Sequence, residues 1–170
     1  MSLRIAVSSQ DHMQGNPDAI IELVEYGDYQ CPYCGEAYPN VKKVQEVLGN
    51  KLRFIFRNFP LEAHPNALHA AIAAEVAGDM GKFWEMHDML YENQNQLDDA
   101  HLITFVQKLG LNVKEFEEKF SESKYVERVE KDMEGALRSG LNGTPSFYIN
   151  GVKYNGSYEA SEILAYIENL

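Results

Sequence analysis

The amino-acid sequence predicts an α/β fold in which a βαβ half and a ββα half are separated by a helical insertion of about 80 residues. Three observations predict it. Apolar, β-branched runs at residues 19–26 and 52–59 flank a stretch with helical spacing. The middle of the chain, from about 65 to 139, is helical in pattern almost throughout. Near the end, Asn150-Gly151 lies between two short apolar runs, a strong hairpin signal because both turn residues accept positive φ.

The elements follow in order. Residues 3–7 and 19–26 read as strands separated by the turn-forming stretch 14–18. The second is expected to be central, because Ile20, Ile21, Leu23 and Val24 fall on both parities, as they do when both sheet faces are covered. After the two cysteines, Tyr38, Val41, Val44 and Leu48 approximate a helical stripe that Gly49-Asn50 closes. Residues 52–59 form the next strand, halted by Pro60, and this strand–helix–strand order implies parallel pairing with a right-handed crossover. Helices are then expected at 66–77, 83–93, 100–109, 113–120 and 124–138, divided by Gly78, Gly81, Gly110 and polar turns. The hairpin at 146–154 and an amphipathic helix at 159–169 close a single domain over 1–170, with its core at about 15–61 and 140–170 and its insertion at about 62–139. The Glu- and Lys-rich run around 115–134 reads as a solvated helix face, and Trp84, Met86, Met89 and Leu90 as core.

Composition excludes several functions. The chain has 170 residues, 45% hydrophobic, with 15 Lys+Arg against 26 Asp+Glu, giving a formal charge of −11. Such acidity repels phosphate backbones and anionic lipid, so no nucleic-acid partner is expected. No apolar run approaches the ~18 residues that span a bilayer, so no membrane insertion is expected. The first residues lack the basic start, apolar stretch and cleavage site of a secretory signal. Read literally the chain is cytoplasmic, and it is extracytoplasmic or periplasmic if a leader has been removed.

Cys31 and Cys34 are the only cysteines. In Cys31-Pro32-Tyr33-Cys34 they end a strand and open a helix, so Cys31 falls near the N-cap and Pro32 at the first helical position, where a missing N–H costs nothing. One helical turn brings the two Cα atoms to about 5–6 Å, within disulfide range. The positive end of the helix dipole faces Cys31 and lowers its pKa from about 8.5, and a drop of two units would make the thiolate roughly three-quarters of the population at pH 7. Cys31 is therefore the attacking thiol and Cys34 the shielded thiol that resolves a mixed disulfide. Asp28 and Glu36 flank the motif with no Lys or Arg within five residues, which argues for a modest depression. Glu25, inside the expected central strand, is a candidate proton carrier for Cys34, since an ionised carboxylate buried there would be expensive; on an exposed strand it is an ordinary charge. Thr144-Pro145 begins a strand beside the site, either as a plain turn or with a cis bond exposing a backbone edge to extended substrate.

Four blocks carry a family resemblance: Glu22-Leu-Val-Glu-Tyr-Gly-Asp-Tyr-Gln-Cys-Pro-Tyr-Cys34, Phe56-Arg-Asn-Phe-Pro-Leu61, Lys82-Phe-Trp-Glu-Met-His-Asp88 and Gly143-Thr-Pro-Ser-Phe-Tyr-Ile-Asn-Gly151. In this order they resemble the DsbA-like branch of the thioredoxin-fold superfamily over about residues 15–168. The resemblance implies a thioredoxin fold with a helical insertion, Cys31 as nucleophile, Cys34 as resolving thiol, Glu25 at the buried acidic position and a cis Thr144-Pro145 bond. It implies substrate contact by Pro32, Tyr33, Thr144 and Pro145, cysteine-containing protein substrates, a redox recycling partner, and no cofactor beyond the Cys31-Cys34 pair. Tyr33 departs from the His that the best-known DsbA enzymes carry there, which argues against strongly oxidising behaviour.

Two rival readings share these residues. Cys31 and Cys34 with His64, His69 or His87 would supply zinc ligands, but the first later histidine lies 30 residues on and no second Cys-x-x-Cys exists. A thioredoxin-like scaffold that grips peptides beside Pro145 without turnover is the other. Asn142-Gly143-Thr144 and Asn155-Gly156-Ser157 match the glycosylation pattern, but both sit in expected turns.

Overall fold

Alternate side chains of the run at 21–27 enter two different cores, and this run becomes the centre of a five-stranded sheet. The structure, a computed structural model, describes residues 1–170. Its strands are β1 (His12–Gly15), β2 (Ile21–Gly27), β3 (Leu52–Asn58), β4 (Ser146–Ile149) and β5 (Val152–Tyr154), in spatial order β1-β3-β2-β4-β5. β2 and β3 are parallel, joined by α1 (Pro32–Leu48), whereas β4 runs antiparallel to β2 and forms the hairpin with β5. Asn150 and Gly151 in its turn both have positive φ, as the Asn-Gly pair requires.

The insertion comprises α2 (Ala67–Asp79), α3 (Phe83–Tyr91), α4 (Asp99–Lys108), α5 (Val113–Phe120) and α6 (Ser123–Arg138), and α7 (Ala160–Glu168) ends the chain. Leu23, Phe54 and Phe56 face a large core shared with α1, α3 and α7. Val24, Tyr26, Ile55 and Tyr148 face a smaller one closed by Ala136 of α6. Glu25 has the parity of Leu23 and so points to the α1 side, where Cys31 and Cys34 also pack.

The N-terminal segment departs from the sequence expectation. Residues 3–7 form no strand, and the edge place beside β3 is taken by β1, part of which reads as a turn. The reason is a side chain. Arg57 on β3, 3% exposed, donates to the Ile5 and Ala6 carbonyls at 2.8 and 3.3 Å, so this backbone is satisfied without a ladder. Arg57 also pairs with both Asp11 carboxylate oxygens, at 2.8 and 3.0 Å, and donates to the Tyr26 hydroxyl at 2.9 Å. Arg57→Ala is expected to lower the unfolding free energy by about 3–5 kcal/mol, measured by urea denaturation, because it leaves the half-buried Asp11 charge and the Ile5 and Ala6 carbonyls without their partner.

The charged run of α5 and α6 is mostly exposed, with one exception. Asp132 is buried, accepting from the Asn58 backbone and side chain at 2.9 and 3.0 Å and pairing with Arg128. The exception ties α6 to the end of β3.

Candidate active site

Asp28 builds the turn that leads from β2 into α1. One carboxylate oxygen accepts from the backbone N–H groups of Gln30 (2.7 Å) and Cys31 (3.1 Å), and the other from Leu61 N–H (2.8 Å) and the His64 ring (2.7 Å). This fully engaged carboxylate is a structural brace. It was expected to weigh against the thiolate, and Glu36, also expected to do so, is engaged by the Tyr158 hydroxyl.

Cys31 is the N-cap of α1 and Pro32 its first residue, as the helix-start pattern requires. The next turn carries Cys34 to full burial, whereas Cys31 keeps 3% of its surface exposed. Both are free thiols. The Thr144–Pro145 peptide bond is cis, and the Thr144 carbonyl oxygen lies 3.6 Å from the Cys31 sulfur. Because β4 begins at Ser146, opposite Tyr26 at the end of β2, sheet pairing itself delivers this loop to the cysteine. Tyr33 is 62% exposed and Pro32 also faces solvent, so the structure gathers Pro32, Tyr33, Thr144 and Pro145 around the one thiol that reaches the surface.

The ionisable groups are driven apart. Hydrogen bonding from Cys34 dominates in pulling Cys31 down to about 5, against burial, with further help from Thr144 and the backbone N–H groups of Cys34 and Tyr33. Burial pushes Cys34 well above the usual thiol value, reinforced by its hydrogen bond to Cys31 and the nearby Glu25 charge. Glu25, 3% exposed, is pushed up to about 8 by burial and then by the Cys31 charge. At neutral pH the arrangement holds one thiolate, one thiol and one mostly neutral carboxyl, the separation that acid–base and nucleophile roles require.

Beneath the pair lies a polar notch within an aromatic layer. Glu25 Oε2 and the Tyr91 hydroxyl are buried without hydrogen-bond partners, and both face Gly27. A Cβ there would lie 2.8 Å from the Tyr91 oxygen, 2.9 Å from Glu25 Oε2 and 2.6 Å from Phe56. Glycine is therefore needed at 27 to keep this space. Alongside, the Tyr29 hydroxyl is hydrogen-bonded at 3.0 Å to His87, whose ring burial keeps neutral.

Sequence reasoning missed Asp28 as a brace, although Asp followed by a cysteine three residues later is the pattern of a side chain accepting from the backbone of its own turn. It also missed Tyr91 and Gln94, which reach the site from the insertion with no local motif. The three histidines considered as zinc ligands each engage another side chain: His64 pairs with Asp28, His69 with Asp99 and His87 with Tyr29. No group of three or more His, Cys, Asp or Glu has metal-binding geometry.

A family model described as thioredoxin matches residues 7–169. The chain belongs to the thioredoxin family. Its architecture is that of the family's DsbA-like members. A thioredoxin-like oxidoreductase from Silicibacter pomeroyi DSS-3 superposes with a TM-score of 0.85 at 24% identity, covering 95% of this chain and 92% of that one. α-DsbA1 from Wolbachia pipientis gives 0.80 at 23% identity, covering 96% and 92%. By sequence, a Na(+)/H(+) antiporter NhaA 1 from Salinispora arenicola is 41% identical over 157 residues, covering 92% of this chain and 24% of the antiporter. The chain thus spans about a quarter of the length of the curated relatives it matches.

Proposed function

We propose that this thioredoxin-family chain is a thiol-disulfide oxidoreductase that exchanges two electrons between Cys31-Cys34 and cysteine-containing proteins. The observation carrying this reading is the placement of the two thiols, Cys31 at the N-cap of α1 with an edge at the surface beside Thr144 and Cys34 fully buried one turn further in. In the oxidising direction a substrate thiolate attacks Cys31 Sγ of the disulfide, Cys34 leaves as thiolate and takes up a proton, and a mixed disulfide forms on Cys31. A second substrate thiolate then attacks the substrate sulfur, and Cys31 leaves as the stabilised thiolate. The two substrate thiols lose two electrons and two protons; the pair gains both electrons and, on Cys34, one proton, and the other proton passes to solvent. The reverse sequence reduces a substrate disulfide.

Stabilising Cys31 as a thiolate favours the reduced pair, which argues for the oxidising direction. Substrate backbone is placed along the edge before Pro145, and Tyr33 and Pro32 contact its side chains. Glu25 is placed as the proton carrier. Loss of the Cys31 charge in the mixed disulfide removes one cause of its raised pKa, so more of it is carboxylate and free to accept a proton when Cys34 must lose one. No helix here is long and apolar enough to cross a membrane, and the cation transport named for the longer antiporters is not carried over.

The test mixes the oxidised protein with a reduced, unfolded protein containing cysteines and follows both masses. One disulfide gained by the substrate for each one lost by the pair supports the reading. Binding without electron transfer would favour a peptide-gripping scaffold, and a stoichiometric metal on the two cysteines would favour a zinc site.

A further inference from the structure

We propose that Gln94, in the segment joining α3 to α4, is a positioning residue that latches the redox turn, and that Gly35 is glycine in order to admit it. The proposal rests on the exchange reading above. Gln94 Nε2 donates to the carbonyls of Tyr29 and Cys31, each at 2.9 Å. These two carbonyls stand on either side of the entry into α1. The Cys31 carbonyl also accepts from Gly35 N–H at 3.0 Å, the bond that closes the first helical turn around both cysteines. One carboxamide from the insertion thus clamps the loop and first turn together.

Gly35 shows why the carboxamide can come so close. A Cβ on Gly35 would overlap the Gln94 side-chain oxygen and would lie 2.6 Å from its Cδ and 2.9 Å from its Nε2. Position 35 lies inside α1 with no positive φ, so backbone conformation does not demand glycine there. The requirement comes from the Gln94 carboxamide. Because the obstructed group ends a flexible side chain and alanine is the better helix former, Gly35→Ala is expected to keep the helix and expel Gln94. Without the latch, the turn is free to tilt the N–H groups of Tyr33 and Cys34 away from the Cys31 sulfur, weakening the hold on its thiolate.

The experiment compares wild type, Gln94→Ala, Gln94→Glu, Gly35→Ala and the Gln94→Ala/Gly35→Ala pair. It reads the pH dependence of Cys31 alkylation and the equilibrium of the pair with glutathione, with thermal unfolding as a control on folding. Gln94→Ala is expected to move the alkylation midpoint upward and the equilibrium about tenfold towards the disulfide, the scale of one or two hydrogen bonds. Gln94→Glu, which keeps the length, loses the amide donors and brings a negative charge to the Cys31 carbonyl, is expected to shift both readouts in the same direction and at least as far. Gly35→Ala is expected to reproduce the shift, and the double variant to add nothing, since both remove the same contact. Unchanged midpoint and equilibrium in Gln94→Ala and Gly35→Ala, or additive shifts in the double variant, would overturn the latch. A wild type that never equilibrates with glutathione would defeat the exchange reading instead, while the alkylation midpoints would still report on Gln94.

Discussion

Cys31→Ser is expected to reduce exchange with protein disulfides to the uncatalysed background, and Cys34→Ser to accumulate a mixed disulfide on Cys31. The asymmetry follows from position. Cys31 alone has an edge at the surface, beside Thr144 and Pro145, and alone is held as a thiolate, so its removal leaves no sulfur that a substrate can reach. Cys34 is fully buried one turn into α1, so it can act only on a bond already made to Cys31. With serine at 34, the first step proceeds and the second has no nucleophile. Mass spectrometry of non-reduced samples, after incubation with a disulfide-containing protein, should show the adduct with Cys34→Ser and not with Cys31→Ser. Equal adducts from both variants would show that burial does not order the two thiols.

The second large effect is a redox-dependent pH profile of stability. Glu25 has its folded pKa raised from 4.5 to about 8, so its neutral form favours the fold at low pH, and that stability is lost as pH rises from 4.5 through 8. Cys31 has the opposite sign. Its folded pKa is depressed from 9.0 to about 5, so its contribution grows as pH rises between those values. Each slope is at most about 1.4 kcal/mol per pH unit, and in the reduced protein the two largely cancel between pH 5 and 8. Oxidation removes the thiol. Desolvation, the larger cause of the Glu25 shift, remains, so the oxidised protein is expected to lose up to about 4 kcal/mol between pH 5 and 8 while the reduced protein stays nearly level. Glu25→Gln is expected to abolish the slope of the oxidised form. Urea unfolding of both redox forms at the two pH values measures it, and an oxidised wild type as stable at pH 8 as at pH 5 would show that Glu25 ionises freely.

What could be read from residues alone tracks how local the physics is. Helix α1 was legible because Pro32, the apolar stripe and Gly49 are signals within one segment, and β2 because both its faces are apolar. Glu25 was expected to be buried only because it lies inside that strand; which face it takes, the one shared with Leu23 and the cysteines, is set by the packing of α1. Residues 3–7 misled because their partner is the Arg57 side chain, and nothing near Ile5 records that. Asp28 was visible but weighed only as a charge, although its oxygens are occupied by the N–H groups of its own turn. Tyr91 and Gln94 were beyond reach: they meet the site only after α3 packs beside α1, across more than fifty residues of chain, with no motif to announce them.

The most direct test of the central claim, that the start of α1 holds Cys31 as a thiolate, is the pH titration of thiolate absorbance in the fully reduced protein, with Cys34→Ala to assign the signal. The account predicts that one thiol in the wild type ionises with a midpoint near 5 and that this midpoint rises in Cys34→Ala, which removes the hydrogen bond that is the largest cause of the shift. A wild-type protein in which neither thiol ionises below pH 8.5 would contradict it.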